Sequence, residues 1–305
     1  MARLARVEVF ASDEVAIVHV LNRTVRRCFL LGNDPISGKN FDHRKQWMES
    51  ELQHLAKHLG IDLLCYAILS NHFHLVLRSR PDVVAAWDDS EVARRWMMLC
   101  PKRRDTQKMP QEPNEFELNM IRNDPVRLKE IRSRLSDISW WMRLLSQKIG
   151  KRANEDDNEI GKFWQARYRA VRLLDETAVL ACTAYVDLNP IRAAMAETIE
   201  TSEYTSAQQR AIALQAEANA QTTSDRDAGM VSKPIMQSLS PLTIDELKDD
   251  IGACCHTGGS RSCSPSGKGR SSLRIPFSYV ASTTIEVMNL FLMKVKTAWS
   301  PAQLY

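Results

Sequence analysis

The chain has 305 residues, 44% hydrophobic and 26% charged, a composition that excludes a fibrous or wholly disordered protein and suits one or two domains with a buried core. Lys and Arg total 41 against 37 Asp and Glu, a formal net charge of +4, so the overall balance separates neither enzyme from nucleic-acid binder and the local distribution of charge must decide. No apolar run reaches the roughly 18 residues a membrane span needs, and Met-Ala-Arg-Leu-Ala-Arg puts charge where a signal peptide carries its apolar stretch, so the expectation is a cytoplasmic protein.

Residues 15–24 are short, rich in β-branched side chains and bounded by charge, which predicts a strand. In 43–59, Met48, Leu52, Leu55 and Leu59 recur at helical spacing and Gly60 stands as a stop. Two apolar runs, 62–69 and 72–79, separated by Ser70-Asn71, predict an antiparallel hairpin, and a helix follows over 83–99. Residues 101–120, rich in Pro, Asn and charge, read as a loop, within an insertion spanning about 101–160. Leu128, Ile131, Leu135, Ile138, Met142, Leu145 and Ile149 step by three and four, which predicts one long amphipathic helix packed on the sheet. Residues 163–173 read as an aromatic-rich strand, and 175–189 as a helix opened by Asp175 and closed before Pro190.

The order strand, helix, two strands, helix, strand, helix predicts an α+β fold, an antiparallel sheet of ferredoxin-like type covered by helices, over residues 1–205. From 206 to 305 the sequence turns to Ala, Gln, Thr and Ser and then to Gly-Gly-Ser-Arg-Ser, a composition expected to remain a largely disordered tail. Seven cysteines, most of them in apolar segments, read as reduced thiols. Cys254, Cys255, His256 and Cys263 lack the two-residue spacing of zinc ligands and read as an exposed stretch.

Two constellations carry chemistry. His72 and His74 lie on one face of a predicted strand, with Phe73, Leu75 and Leu77 on the other, so their imidazoles can hold a metal together; a solvent-facing histidine pair is the plainer alternative. Tyr185 and Asn189 are four apart and share a helix face, the plainer alternative being a core aromatic and a C-cap before Pro190.

Together these residues resemble a known family. His72-Phe73-His74 is similar to the histidine–hydrophobic–histidine (HUH) signature of the single-tyrosine transposases of the insertion-sequence-200-like family. The stretch 163–168, Leu174-Asp175-Glu176 and the block 184–193, with Tyr185, Asn189, Pro190 and Arg192, resemble its REP-associated tyrosine transposase branch. His19 to Arg23 and Ser70-Asn71-His72 add to the likeness, which spans about residues 12–205. The resemblance implies that Tyr185 is a nucleophile, that His72 and His74 bind a divalent metal, Mg²⁺ or Mn²⁺, and that Asn189 takes the place of a third, polar ligand. It implies a metal-dependent transposase that cuts and rejoins single-stranded DNA through a 5′-phosphotyrosine link. Phosphodiester cleavage without water needs an oxygen nucleophile and a means of neutralising phosphate charge, and these residue types supply both.

Between residues 122 and 172 there are 13 Lys and Arg against seven acids. Among the basic residues, Arg143, Lys148, Lys151, Arg152, Lys162, Arg167, Arg169 and Arg172 are expected to contact DNA, with Trp140, Trp141, Trp164 and Tyr168 stacking on unpaired bases. The expected partner is single-stranded or hairpin DNA, with no membrane; the oligomeric state is open, a homodimer among the options. Two other functions stay open: a domesticated or inactive relative that binds hairpin DNA without cutting it, and an unrelated metal phosphodiesterase using water.

Overall fold

The computed structural model describes residues 13–107 and 109–222, and Leu239; the cluster around Cys254 and most of the predicted tail lie outside the described residues. Four strands form one antiparallel sheet: β1 (Ile17–Arg23), β2 (Ile61–Ile68), β3 (His72–Ser79) and β4 (Arg169–Leu173), in the order β2-β3-β1-β4. The hairpin β2–β3 turns at Ser70-Asn71, as the turn residues predict. Long-range pairing then inserts β3 beside β1, so that Leu21 faces His74 and Arg23 faces His72. On its other edge β1 pairs with β4, Leu21 opposite Arg169 and Val18 opposite Arg172.

Helices pack on both faces of the sheet, each face with its own set, while the edge strand β4 stays partly exposed. Val18, Val20, Phe73, Leu75 and Leu77, all fully buried, meet Met48, Leu52 and Leu55 of α1 (His43–His58). They share that core with α2 (Pro81–Ala86), α3 (Asp89–Leu99), α4 (Glu115–Arg122), α5 (Pro125–Leu135) and α6 (Ile138–Asp157). On the opposite face lie His19, Cys65, Ala67, His72, His74 and Val76, covered by α7 (Glu176–Asp187), which leads into the short α8 (Asn189–Arg192). Alternation along the strands makes this division: side chains one apart on β1 and β3 go to opposite helical layers.

Several elements differ from expectation, each for a local reason. The helix expected over 83–99 is two, because the Asp88 carboxylate accepts from the Glu91 backbone N–H at 2.7 Å and starts α3 afresh. The apolar periodicity of 128–149 runs unbroken across two helices; Asp137 caps α6 by accepting from Ser139 N–H at 2.7 Å, after α5 has ended. The loop over 101–120 holds the start of α4, set by a capping box between Asn114 and Glu117. Within the segment 101–160, α6 places Trp141, Met142, Leu145 and Ile149 in the main core. The aromatic strand begins only at Arg169, Trp164 making an isolated bridge to Thr24. Asp175 caps α7 as expected, accepting from Ala178 N–H at 2.7 Å.

Residues 206–222 form α9. Its first residue is buried: Ser206 Oγ donates to Asp187 Oδ1 at 2.8 Å and accepts from Tyr66 N–H at 3.0 Å. Arg210 reaches the Leu64 carbonyl at the β2 bulge and lies 3.7 Å from Asp187. A domain edge at 205 would therefore cut through packed structure. No helix among the described residues is long and apolar enough to cross a membrane.

Candidate metal and tyrosine site

β3 and α7 bring together the residues that the two sequence constellations single out. His74 is 3% exposed, overturning the picture of a solvent-facing pair, and Asn189 is buried beside it. The Asn189 Nδ2 donates to His74 Nε2 at 3.1 Å. His74 therefore carries its proton on Nδ1, which shares a 2.9 Å hydrogen bond with His19 Nε2. The rings of His19 and His74 stack, their centroids 5.1 Å apart and their planes within 10°. His72 stands edge-on to His74 at 5.1 Å and donates from Nδ1 to Asn71 Oδ1 at 2.6 Å.

His72 and His74 thus each give Nδ1–H to a protein acceptor and keep Nε2 unprotonated, the arrangement that metal-binding histidines adopt. Burial favours the neutral form of each: it lowers His19 and His72 to about 4, Arg23 adding to the effect on His72, and puts His74 well below the ordinary histidine range. The Asn189 amide already lies against His74 Nε2, and turning it over would set an oxygen there in place of the N–H. Two imidazoles and an amide oxygen fit a divalent ion of borderline character, Mn²⁺ better than Mg²⁺. Among the described residues no group of three His, Cys, Asp or Glu side chains is placed to hold a metal.

Tyr185, half-buried on α7, points its ring at the same cluster. Its centroid lies 5.6 Å from that of His74 and 6.3 Å from that of His19, both edge-on, and the Arg192 guanidinium sits 5.1 Å from its ring centre. Its hydroxyl makes no hydrogen bond among the described residues, whereas Tyr66 donates to Glu49 at 2.8 Å and Tyr168 to Ser139 at 3.1 Å. Position four before Asn189 keeps both residues on the histidine side, because the helical hydrogen bonding runs on through Leu188 from α7 into α8. The end of α7 is pinned by Asp187, which accepts from Cys65 Sγ at 3.1 Å and from Ser206.

The predicted DNA-contacting residues are spread over the molecule. Arg169 is exposed on the histidine face of β4, in register with Leu21 and His74. Arg172 points to the other face, where it pairs with Glu14, and Lys162 and Arg167 are exposed between α6 and β4. Arg143, Lys148, Lys151 and Arg152 belong to α6, in the opposite layer. There Arg143 lies over Trp140, Lys148 pairs with Glu51, Lys151 stands 3.7 Å from Glu155, and Arg152 lies 3.8 Å from the Trp47 ring centre. Trp141 is fully buried, so its ring is not open to a base, and Trp164 is half-buried, packing on Phe73 while donating to the Ser146 carbonyl at 2.9 Å. His19 was not singled out as a site residue by spacing; its signal was a place in the strand 15–24, and only the β1–β3 register delivers it to His74.

The sequence matches no family model, and no curated protein matches it. Among solved structures, a REP-associated tyrosine transposase bound to a REP hairpin matches with a TM-score of 0.36 and 9% identity, over 75% of this chain and 93% of that one. At that score and identity the likeness is too slight to carry a function across.

Proposed function

We propose that the protein is a metal-dependent transposase or endonuclease that cleaves and rejoins single-stranded DNA, with Tyr185 as nucleophile. The observation that carries this reading is the meeting of His74, Asn189 and the ring of Tyr185, whose hydroxyl makes no hydrogen bond among the described residues, on one face of the sheet from segments more than a hundred residues apart. His72, His74 and Asn189 would hold a divalent ion, which when bound supplies positive charge to the scissile phosphate. Tyr185 Oη attacks phosphorus and releases its proton to solvent; the P–O3′ bond breaks, and the departing 3′ oxygen takes up a proton. The 5′-phosphotyrosine retains the energy of the diester, so a 3′-hydroxyl can reverse the attack and join strands without ATP.

The burial of the site's imidazoles favours their neutral form, as ligands must be. Incubating the protein with Mn²⁺ or Mg²⁺ and labelled single strands carrying hairpins should produce a denaturation-resistant protein–DNA adduct. Cut product without an adduct would point to water as nucleophile; binding without cleavage would point to a hairpin binder.

A further inference from the structure

We propose that Arg192 and Arg23 form the phosphate-binding pair of this site, taking the non-bridging oxygens of the diester presented to Tyr185. The inference rests on the DNA reading above and adds two residues to it. Arg23 and Arg192 are the fixed cations beside this cluster of imidazoles, amide and phenol, while every phosphodiester brings one negative charge. Two arginines stand where that charge would arrive.

Arg192 is exposed, three residues beyond Asn189, and its guanidinium is held over the Tyr185 ring at 5.1 Å from the centre. Attraction to the ring holds the guanidinium beside the attacking phenol, where its fork of donors can take two oxygens. Arg192 makes no ion pair among the described residues, whereas Arg44, Arg78, Arg94, Arg132 and Arg172 are each committed to a carboxylate. Arg23 ends β1 directly opposite His72, on the face that carries His19 and His74. The acid at the end of α7, Asp187, is turned toward Ser206 and Arg210 and leaves this corner cationic.

Arginine forks match a phosphate's paired oxygens better than a lysine point charge does. As Tyr185 attacks, charge builds on the two non-bridging oxygens, and fixed cations beside them stabilise that charge without reorganising.

The test measures binding, so it stands apart from cleavage. Tyr185→Phe protein is titrated with a labelled single-stranded oligonucleotide at several salt concentrations, alone and combined with Arg192→Ala, Arg192→Lys or Arg23→Ala. Each alanine is expected to weaken binding several-fold and to make the log–log salt slope shallower by about 0.7, the value for one lost phosphate contact on a single strand. Arg192→Lys should recover the slope but only part of the affinity. Arg103→Ala, an exposed arginine paired with Glu117, should change neither. Thermal melts accompany every variant, and Arg192, being exposed, carries the result if Arg23→Ala does not fold. Unchanged affinity and slope on Arg192→Ala, or an equal loss on Arg103→Ala, would overturn the pair. If wild-type protein forms no adduct while the Arg192 and Arg23 effects persist, the cleavage reading fails and the phosphate pair stands.

Discussion

His19 Nε2 and His74 Nδ1, on neighbouring strands, lie 2.9 Å apart and share a proton. The bond fixes which nitrogen of His74 faces Asn189 and Tyr185, so a residue on β1 sets the chemistry of one on β3. Replacing His19 with Gln keeps an acceptor for that proton, whereas Phe keeps only the ring. His19→Phe is therefore expected to weaken metal binding by about 10- to 100-fold, the usual cost of losing a partner to a ligating histidine, and His19→Gln by less. Titration with Mn²⁺, followed by calorimetry, reads the difference; equal affinities in the two variants would remove His19 from this role.

His72 and His74 should differ in their structural weight. His74 is 3% exposed with both ring nitrogens bonded, while His72 is half-buried. His74→Ala leaves His19 and Asn189 without their shared partner and opens a cavity, an expected loss of roughly 2–3 kcal/mol. His72→Ala should cost less than about 1 kcal/mol. Urea denaturation of the two variants measures this directly, and equal losses would contradict the burial difference.

Acid should destabilise the fold ahead of any general carboxylate effect. Burial lowers His19 and His72 to about 4 and His58 to about 3, the last with an Nδ1 that has no partner. Above the ordinary histidine pKa, roughly 6.5, folded and unfolded chains both keep these rings neutral. Between there and about pH 4 the unfolded chain takes up protons that the folded one refuses, so stability falls as pH falls. Melting temperature measured from pH 7.5 down to 4 should decline through this window, and His58→Leu should flatten part of the decline. A profile flat from 7 to 5 would contradict the burial of these rings.

Much of this was legible in the sequence where the signal was local. The hairpin needed only two apolar runs and Ser70-Asn71, and the shared face of His72 and His74 follows from strand alternation. The break between α5 and α6 was hidden because Leu135 and Ile138 stay three apart across it; Asp137, a helix cap in the middle of an apolar ladder, was the local clue. The α9 helix was concealed by composition, since Ala and Gln lack large apolar groups yet favour helix strongly. His19 and the Arg23–His72 pairing depend on which strands become neighbours, which no stretch of sequence states locally.

The packing of α9 gives a truncation test. A chain ending at 222 keeps Ser206 and Arg210 on Asp187, and one ending at 205 leaves Asp187 and Cys65 without them. Relative to the chain ending at 222, the shorter one is expected to lose roughly 1–3 kcal/mol, the cost of a buried polar group stripped of partners. Equal melting temperatures for the two would show that α9 contributes nothing to the Asp187 anchor.

The central claim is that Tyr185 Oη becomes joined to DNA. Its hydroxyl makes no hydrogen bond among the described residues and its ring rests against His74, while the Tyr66 and Tyr168 hydroxyls are already engaged. Tyr185→Phe removes one oxygen and leaves the ring contacts with His19, His74 and Arg192 in place. The deciding measurement is peptide mass spectrometry of the protein after reaction with single-stranded hairpin DNA and Mn²⁺. The account predicts a nucleotide 5′-phosphate on Tyr185, with no adduct and no cut strand from Tyr185→Phe; a nucleotide on any other residue, or cleavage by Tyr185→Phe, would contradict it.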